Sequence, residues 1–260
     1  MPFVEYLSSL SPEPFKQLCS SWPKDIRWKN ERAKPDQAYV PTAIEHIANV
    51  ITHGMWIGPS IYAGMVLLRR SATWQQYWAA VVYGMALVLC FAVSTVFHSV
   101  FFAGHNRQLK DLLHRGDRAM IYVFIAASYF PWLMLRPLPA DHWGSELWWL
   151  VWVLALLGIL YQQVFHERYK SLETFFYLFL GVAPSIAVIN KSDFSGLPEL
   201  KFGGLLYVLG VFFFKSDGAI PFAHAIWHLF VASAAGVHYF AILHHLYSAS
   251  SSSASATSNN

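Results

Sequence analysis

Seven apolar stretches, each near the length needed to cross a bilayer, constrain this chain more than any other feature. A transmembrane helix needs roughly 20 predominantly apolar residues, with about 17 to 25 tolerated. The stretches run over 46–68, 77–101, 117–136, 144–165, 172–190, 201–215 and 221–247, separated by turns rich in Arg, Lys, Asp, Gly and Pro. They predict an all-α, polytopic seven-transmembrane helix bundle. The sixth stretch, from Lys201 to Lys215, is the shortest, and a re-entrant segment is its alternative reading. Pro59, Pro131 and Pro184 fall inside apolar runs, where neighbouring helices can satisfy the freed carbonyls. Composition agrees, since only 13% of residues are charged, against about 25% in soluble domains. No internal repeat is visible.

The chain divides into an N-terminal segment (1–45), the transmembrane domain (46–247) and a Ser-rich tail (248–260) expected to be disordered. A net charge of +3 leaves no nucleic-acid footprint. Cys19 lies in a polar segment and Cys90 in an apolar run, so no disulfide is expected. Glu5, Glu13 and Lys16 stand where a signal peptide would carry a basic region followed by an apolar one, so no cleavable signal is expected. Asn190-Lys191-Ser192 fits a glycosylation sequon, but its place in a short loop against the membrane predicts that it is unused.

Orientation follows from the basic residues beside the helix ends. One side carries thirteen: Lys16, Lys24, Arg27, Lys29, Arg32, Lys34, Arg107, Lys110, Arg115, Arg118, Arg168, Lys170 and Lys215. The other carries five: Arg69, Arg70, Arg136, Lys191 and Lys201. The N-terminus is therefore expected in the cytosol and the C-terminus outside or in a lumen. Trp74, Trp78, Trp132, Trp143, Trp148 and Trp149 then map to the non-cytosolic interface as an aromatic belt.

That topology brings unusual polar residues to one depth. Ser94 and His98 sit late in the second span, Asp117 opens the third, and His224 and His228 lie early in the seventh, all near the cytosolic leaflet. A spacing of four residues places Ser94 with His98, and His224 with His228, on single helix faces about 40° apart. Three imidazoles and a carboxylate from three helices can surround one cation. Three neutral histidines leave a fourth tetrahedral position on Zn2+ open, the catalytic arrangement, in which bound water titrates near ~7. Asp117 would orient that water or take its proton, and Ser94 would hydrogen-bond a carbonyl or the water. The alternative is that all five are interfacial or capping residues facing water. Unpartnered ionisable groups are costly inside a membrane, which favours the metal.

Glu45, Asn49 and His53 stripe one face of the first span, where they can cap helices or line the same cavity, and capping and packing are expected ahead of a catalytic role. His114 is expected to be exposed or to support a ligand rather than to be one. His238, His244 and His245 are expected at the opposite interface.

The strings EHIANVITHG (45–54), STVFH (94–98), DRAMIYVFIAASYFPW from Asp117 and FKSDGAIPFAHAIWHLFV (214–231) resemble the progestin and adipoQ receptor (PAQR) family, related to bacterial hemolysin III proteins. The wording around Asp117 and His224 is similar to its differentiation-factor branch. The resemblance covers roughly residues 40–247. It implies seven helices, a cytosolic N-terminus and intramembrane zinc on His98, His224 and His228, with Asp117 at the zinc water and Ser94 beside it. Adiponectin-receptor relatives imply ceramide-type amide hydrolysis, others a steroid response, and the differentiation-factor branch an endosomal, lysosomal or Golgi membrane.

Two classes of function follow. One is a zinc-dependent lipid amidohydrolase acting on a membrane lipid; the other is a receptor or scaffold in which the zinc is structural. A G-protein-coupled receptor is disfavoured, because Asp117-Arg118 begins the third span and the N-terminus lies inside. Membrane lipids and a lipid substrate or ligand are the expected partners, and the sequence points to no protein partner.

Overall fold

The computed structural model describes residues 27–34, 37–103, 107–189 and 196–248. Cys19, the signal-peptide region, the sequon and tail residues 249–260 lie outside them. Among the described residues the chain forms helices α1 (Ala43–Gly54), α2 (Ile57–Arg70), α3 (Trp74–Ala103), α4 (Arg107–Leu135), α5 (Leu147–Val164), α6 (Lys170–Ile189), α7 (Leu197–Phe214) and α8 (Ala223–Leu246). Six stretches are long and apolar enough to cross a membrane: Ala43–Arg70, Trp74–Phe101, Arg107–Leu135, Leu147–Val164, Leu197–Phe214 and Ala223–Leu246. Helix α6, with 20 residues, matches the fifth expected stretch but is not among these six.

The first expected span is broken between α1 and α2. Pro59 supplies the reason, because its ring clashes with the carbonyl four residues back, at Met55, where α1 ends. Thr42 and Glu45 form a reciprocal capping box at the start of α1. The third expected span starts ten residues early, at Arg107, so Asp117 does not open the helix but sits in its third turn. Six of the ten added residues are polar, and an apolar run cannot reveal a helix that continues into a polar segment. The sixth stretch is a continuous 18-residue helix rather than a re-entrant one, extended at its start by the four residues Leu197-Pro198-Glu199-Leu200. Proline suits a helix's first turn because its missing N–H would lack a partner there anyway.

The helices close into a ring in which α1 and α2 pack on α3, each later helix packs on its predecessor, and α8 returns to α1 and α4. Close approaches use glycine. A Cβ on Gly84 of α3 would lie 3.1 Å from the Gly64 backbone of α2, and one on Gly158 of α5 would collide with the Tyr122 ring. Large apolar side chains such as Leu156, Leu157, Phe179, Phe212 and Phe240 face outward. This inversion suits a lipid surround. Trp74, Trp78, Trp143, Trp148 and Trp149 are exposed, but Trp132 is 3% exposed and packs in the core, which removes it from the expected belt.

Residues 27–34 and 37–42 lie across one end of the ring. Lys29 Nζ donates to the Gly218 carbonyl at 3.0 Å, an Arg32 Nη donates to the Lys215 carbonyl at 3.0 Å, and Trp28 meets Phe222 edge-on. Phe222, at the start of α8, holds a left-handed φ of 57°. Its N–H donates to Glu45 Oε1 at 3.3 Å, which ties α8 to the head of α1.

Candidate metal centre

Helix α3 carries Ser94 and His98, and α8 carries His224 and His228 one turn apart. The fold brings the three histidines together. One ring nitrogen from each lies within 4.8 Å of the others. Ring centroids are 5.1 Å apart for His98 and His224, 5.2 Å for His98 and His228, and 4.7 Å for His224 and His228. His98 and His228 are buried and His224 partly so.

Each imidazole also meets a side chain outside the cluster. Thr52 Oγ1 donates to the Ala48 carbonyl at 2.8 Å, so it accepts from His228 Nδ1–H at 3.1 Å. Asp217 accepts from His224 Nδ1–H at 3.4 Å. The Asn49 amide lies 3.5 Å from His98 Nδ1, and its Oδ1 is buried without a partner. Half a turn of that amide lets Oδ1 accept the His98 Nδ1 proton. With protons on all three Nδ1 atoms, Nε2 carries the lone pair in each ring. His98 Nε2 is itself buried without a partner, an orphan that a cation would satisfy. Three neutral imidazoles with hydrogen-bonded outer nitrogens fit Zn2+.

Asp117 lines the same cavity, with Ser94, His224 and Arg118 as its electrostatic neighbours. Ser94 shares a 2.8 Å hydrogen bond with His53 Nδ1, and the His53 ring stacks on His228 at 3.6 Å. Of the stripe on α1, Glu45 caps the helix as expected, whereas Asn49 and His53 enter the site. Only the tertiary fold selects them, since spacing alone fits capping equally well.

The cavity measures about 590 Å³ and runs from the histidines, Arg32 and Tyr39 to Trp132 and Lys201 at the far end. His238 lines it and is not the interfacial residue expected from sequence. His244 is exposed, and His245 shares a 3.2 Å hydrogen bond with Glu199.

A second group of donors was not anticipated. His114, His166 and Glu167 also bring ligand atoms within 4.8 Å of one another. Arg118 engages two of them and a neighbouring carboxylate: its Nη2 lies 2.6 Å from Glu167 Oε1, its Nη1 2.6 Å from Glu173 Oε2, and its Nε donates to His114 Nε2 at 3.3 Å, while His166 is held by His114 Nδ1 at 3.2 Å and Gln162 at 2.9 Å. Lys170 lies 2.8 Å from Glu167 Oε2. Burial alone would raise the Glu167 carboxyl, but Arg118 and Lys170 hold it below its ordinary value. Burial pushes His166 down to about 4. His114 is thus no ligand of the first cluster; it belongs to this charge network, and its ring stacks on Phe97 at 4.9 Å. The i,i+4 pair His114/Arg118 was the available sequence signal.

Comparison with known proteins shows the family. The profile of the family described as "Haemolysin-III related" matches residues 42–239, which include His98, Asp117, His224 and His228. Monocyte to macrophage differentiation factor from Homo sapiens is 49% identical over 222 residues, covering 85% of this chain and 92% of that protein. The Hemolysin-3 homolog of Bacillus subtilis (strain 168) is 37% identical over 211 residues, 78% of this chain and 94% of that protein. Hemolysin-3 of Bacillus cereus is 33% identical over 208 residues, 76% and 90% of the two chains. With its membrane-length helices, the chain belongs to the haemolysin-III related, PAQR-type family of integral multi-pass membrane proteins.

Proposed function

We propose that this protein is a zinc-dependent lipid amidohydrolase of ceramide type, with Zn2+ on His98, His224 and His228. The observation that carries this reading is the buried, unpartnered His98 Nε2 facing a cavity that also holds a carboxylate. Counting α6 gives seven spans, since 20 residues at 1.5 Å each reach about 30 Å, the thickness of the hydrocarbon core. The excess of basic residues at the end holding Arg32, Lys170 and Lys215 supports a cytosolic N-terminus. An endosomal, lysosomal or Golgi membrane fits the differentiation-factor resemblance.

Zinc, when bound, polarises an amide carbonyl and makes water nucleophilic near neutral pH. The residues supply the rest. Thr52, Asp217 and Asn49 hold the imidazoles in one tautomer. Asp117 accepts the proton of the attacking water and returns it to the departing amine. The apolar cavity walls, including Phe124, Ile125, Val208 and Val231, take the acyl chain and exclude bulk water. The second reading is a receptor or scaffold in endomembrane signalling with structural zinc, and one contact favours it: Ser94 is engaged with His53 rather than free for a substrate oxygen.

Asp117→Asn separates the two. Under the hydrolase reading it keeps zinc and lowers fatty-acid release from a ceramide panel by roughly 10²–10⁴-fold, as expected for a lost general base. Metal-loaded wild type that releases no fatty acid, or releases it no faster than Asp117→Asn, gives the receptor or scaffold reading its place.

A further inference from the structure

The far half of the cavity holds polar atoms that the proposed hydrolysis does not use. His238 on α8 and Tyr207 on α7 both line it, with ring centroids 5.6 Å apart. Both ring nitrogens of His238 and the Tyr207 hydroxyl are buried without a hydrogen-bond partner. The His238 ring lies against bare α7 backbone at Gly203, where an added Cβ would stand 2.6 Å from His238 Nε2. The glycine holds the ring in place and offers it no hydrogen bond through a side chain.

His238 follows His228 by ten residues and His224 by fourteen, which is about 15 Å and 21 Å along the helix. Fourteen residues return to within about 40° of the same face. Between the two ends the cavity is walled by Phe124, Val208, Val211 and Val231. A lipid filling it would displace water from His238 and Tyr207, and so must replace the hydrogen bonds itself. A neutral imidazole offers one donor and one acceptor, and a phenol offers both, which suits a hydroxyl or carbonyl oxygen rather than a charged group.

The geometry points to a second polar subsite at His238 and Tyr207, which selects lipids carrying a hydroxyl or oxo group in mid-chain, about 15 Å from the head held at the histidines. This rests on the reading of the cavity as a lipid site. The test compares octadecanoic acid with its mid-chain hydroxylated derivative, each displacing a fluorescent fatty acid from the full-length, zinc-loaded protein in nanodiscs. The hydroxylated acid should bind about tenfold more tightly, the worth of a well-made hydrogen bond. Tyr207→Phe and His238→Phe should erase that preference while the plain acid still binds, which also reports that the variants fold. Equal binding of the two acids to wild type overturns the subsite and leaves the lipid cavity standing. A preference that survives in both variants also overturns it. If neither acid displaces the probe, the lipid-cavity reading fails and the subsite with it.

Discussion

The two histidine clusters, one of three imidazoles and one of two imidazoles and a carboxylate, both bring their donor atoms within 4.8 Å of one another, yet they differ in what already fills them. At His98, His224 and His228 the outer nitrogens meet Asn49, Asp217 and Thr52, and an inner nitrogen is left without a partner. At His114, His166 and Glu167 the guanidinium of Arg118 already pairs with His114 and Glu167, and His166 is hydrogen-bonded to His114 and Gln162. Proximity of donors is therefore a weak criterion. A site is open to a cation when the protein has not supplied its own.

The largest effect that can break this contrast is loss of metal. His224→Ala and His228→Ala should each take the purified protein from about one zinc to none by elemental analysis, while His166→Ala leaves the content unchanged. Zinc that follows His166 instead would reverse the roles of the clusters.

Next in size is the internal cation. Arg118→Met removes the cation shared by the buried Glu167 and Glu173, leaving Glu167 with Lys170 and Glu173 with the Tyr177 hydroxyl. Breaking a buried pair from one side costs about 3–5 kcal/mol. Thermal unfolding in detergent should show a large drop in midpoint, and added zinc should recover part of it by taking the vacated place. A variant as stable as wild type would mean that the network holds nothing together.

A smaller effect tests the outer partners. Asp217→Ala should weaken zinc binding by about 10–100-fold in chelator competition, the usual consequence of losing a carboxylate behind a ligating histidine. The same change should leave the Arg118 network untouched.

The smallest is a pH dependence of the second cluster. His166 lies outside the six spans, and burial lowers it from 6.5 to about 4. The unfolded chain therefore binds the proton more readily between those values, so stability is full above pH 6.5 and falls as the pH drops towards 4. His166→Gln should flatten that part of the unfolding profile. An unchanged slope would locate the titration elsewhere.

The sequence by itself determined the helices and half of the candidate site. Apolar runs of membrane length fix where helices form, because lipid forces every backbone group to be satisfied within its own segment. A four-residue spacing fixes which side chains share a face, so His224 and His228 were legible as a pair. What lay beyond local periodicity was decided by tertiary structure. Nothing in the spacing of Asn49 separates a capping stripe from a partner for His98, and nothing marked Thr52 as a partner for His228, since both depend on α1 packing between α3 and α8. Pro59 was visible, but its break in the first span depended on the helix yielding at Met55. His238 and Trp132 read as interfacial by depth, yet both face inward. Depth is set along one helix, whereas facing is set by the neighbours that close around it.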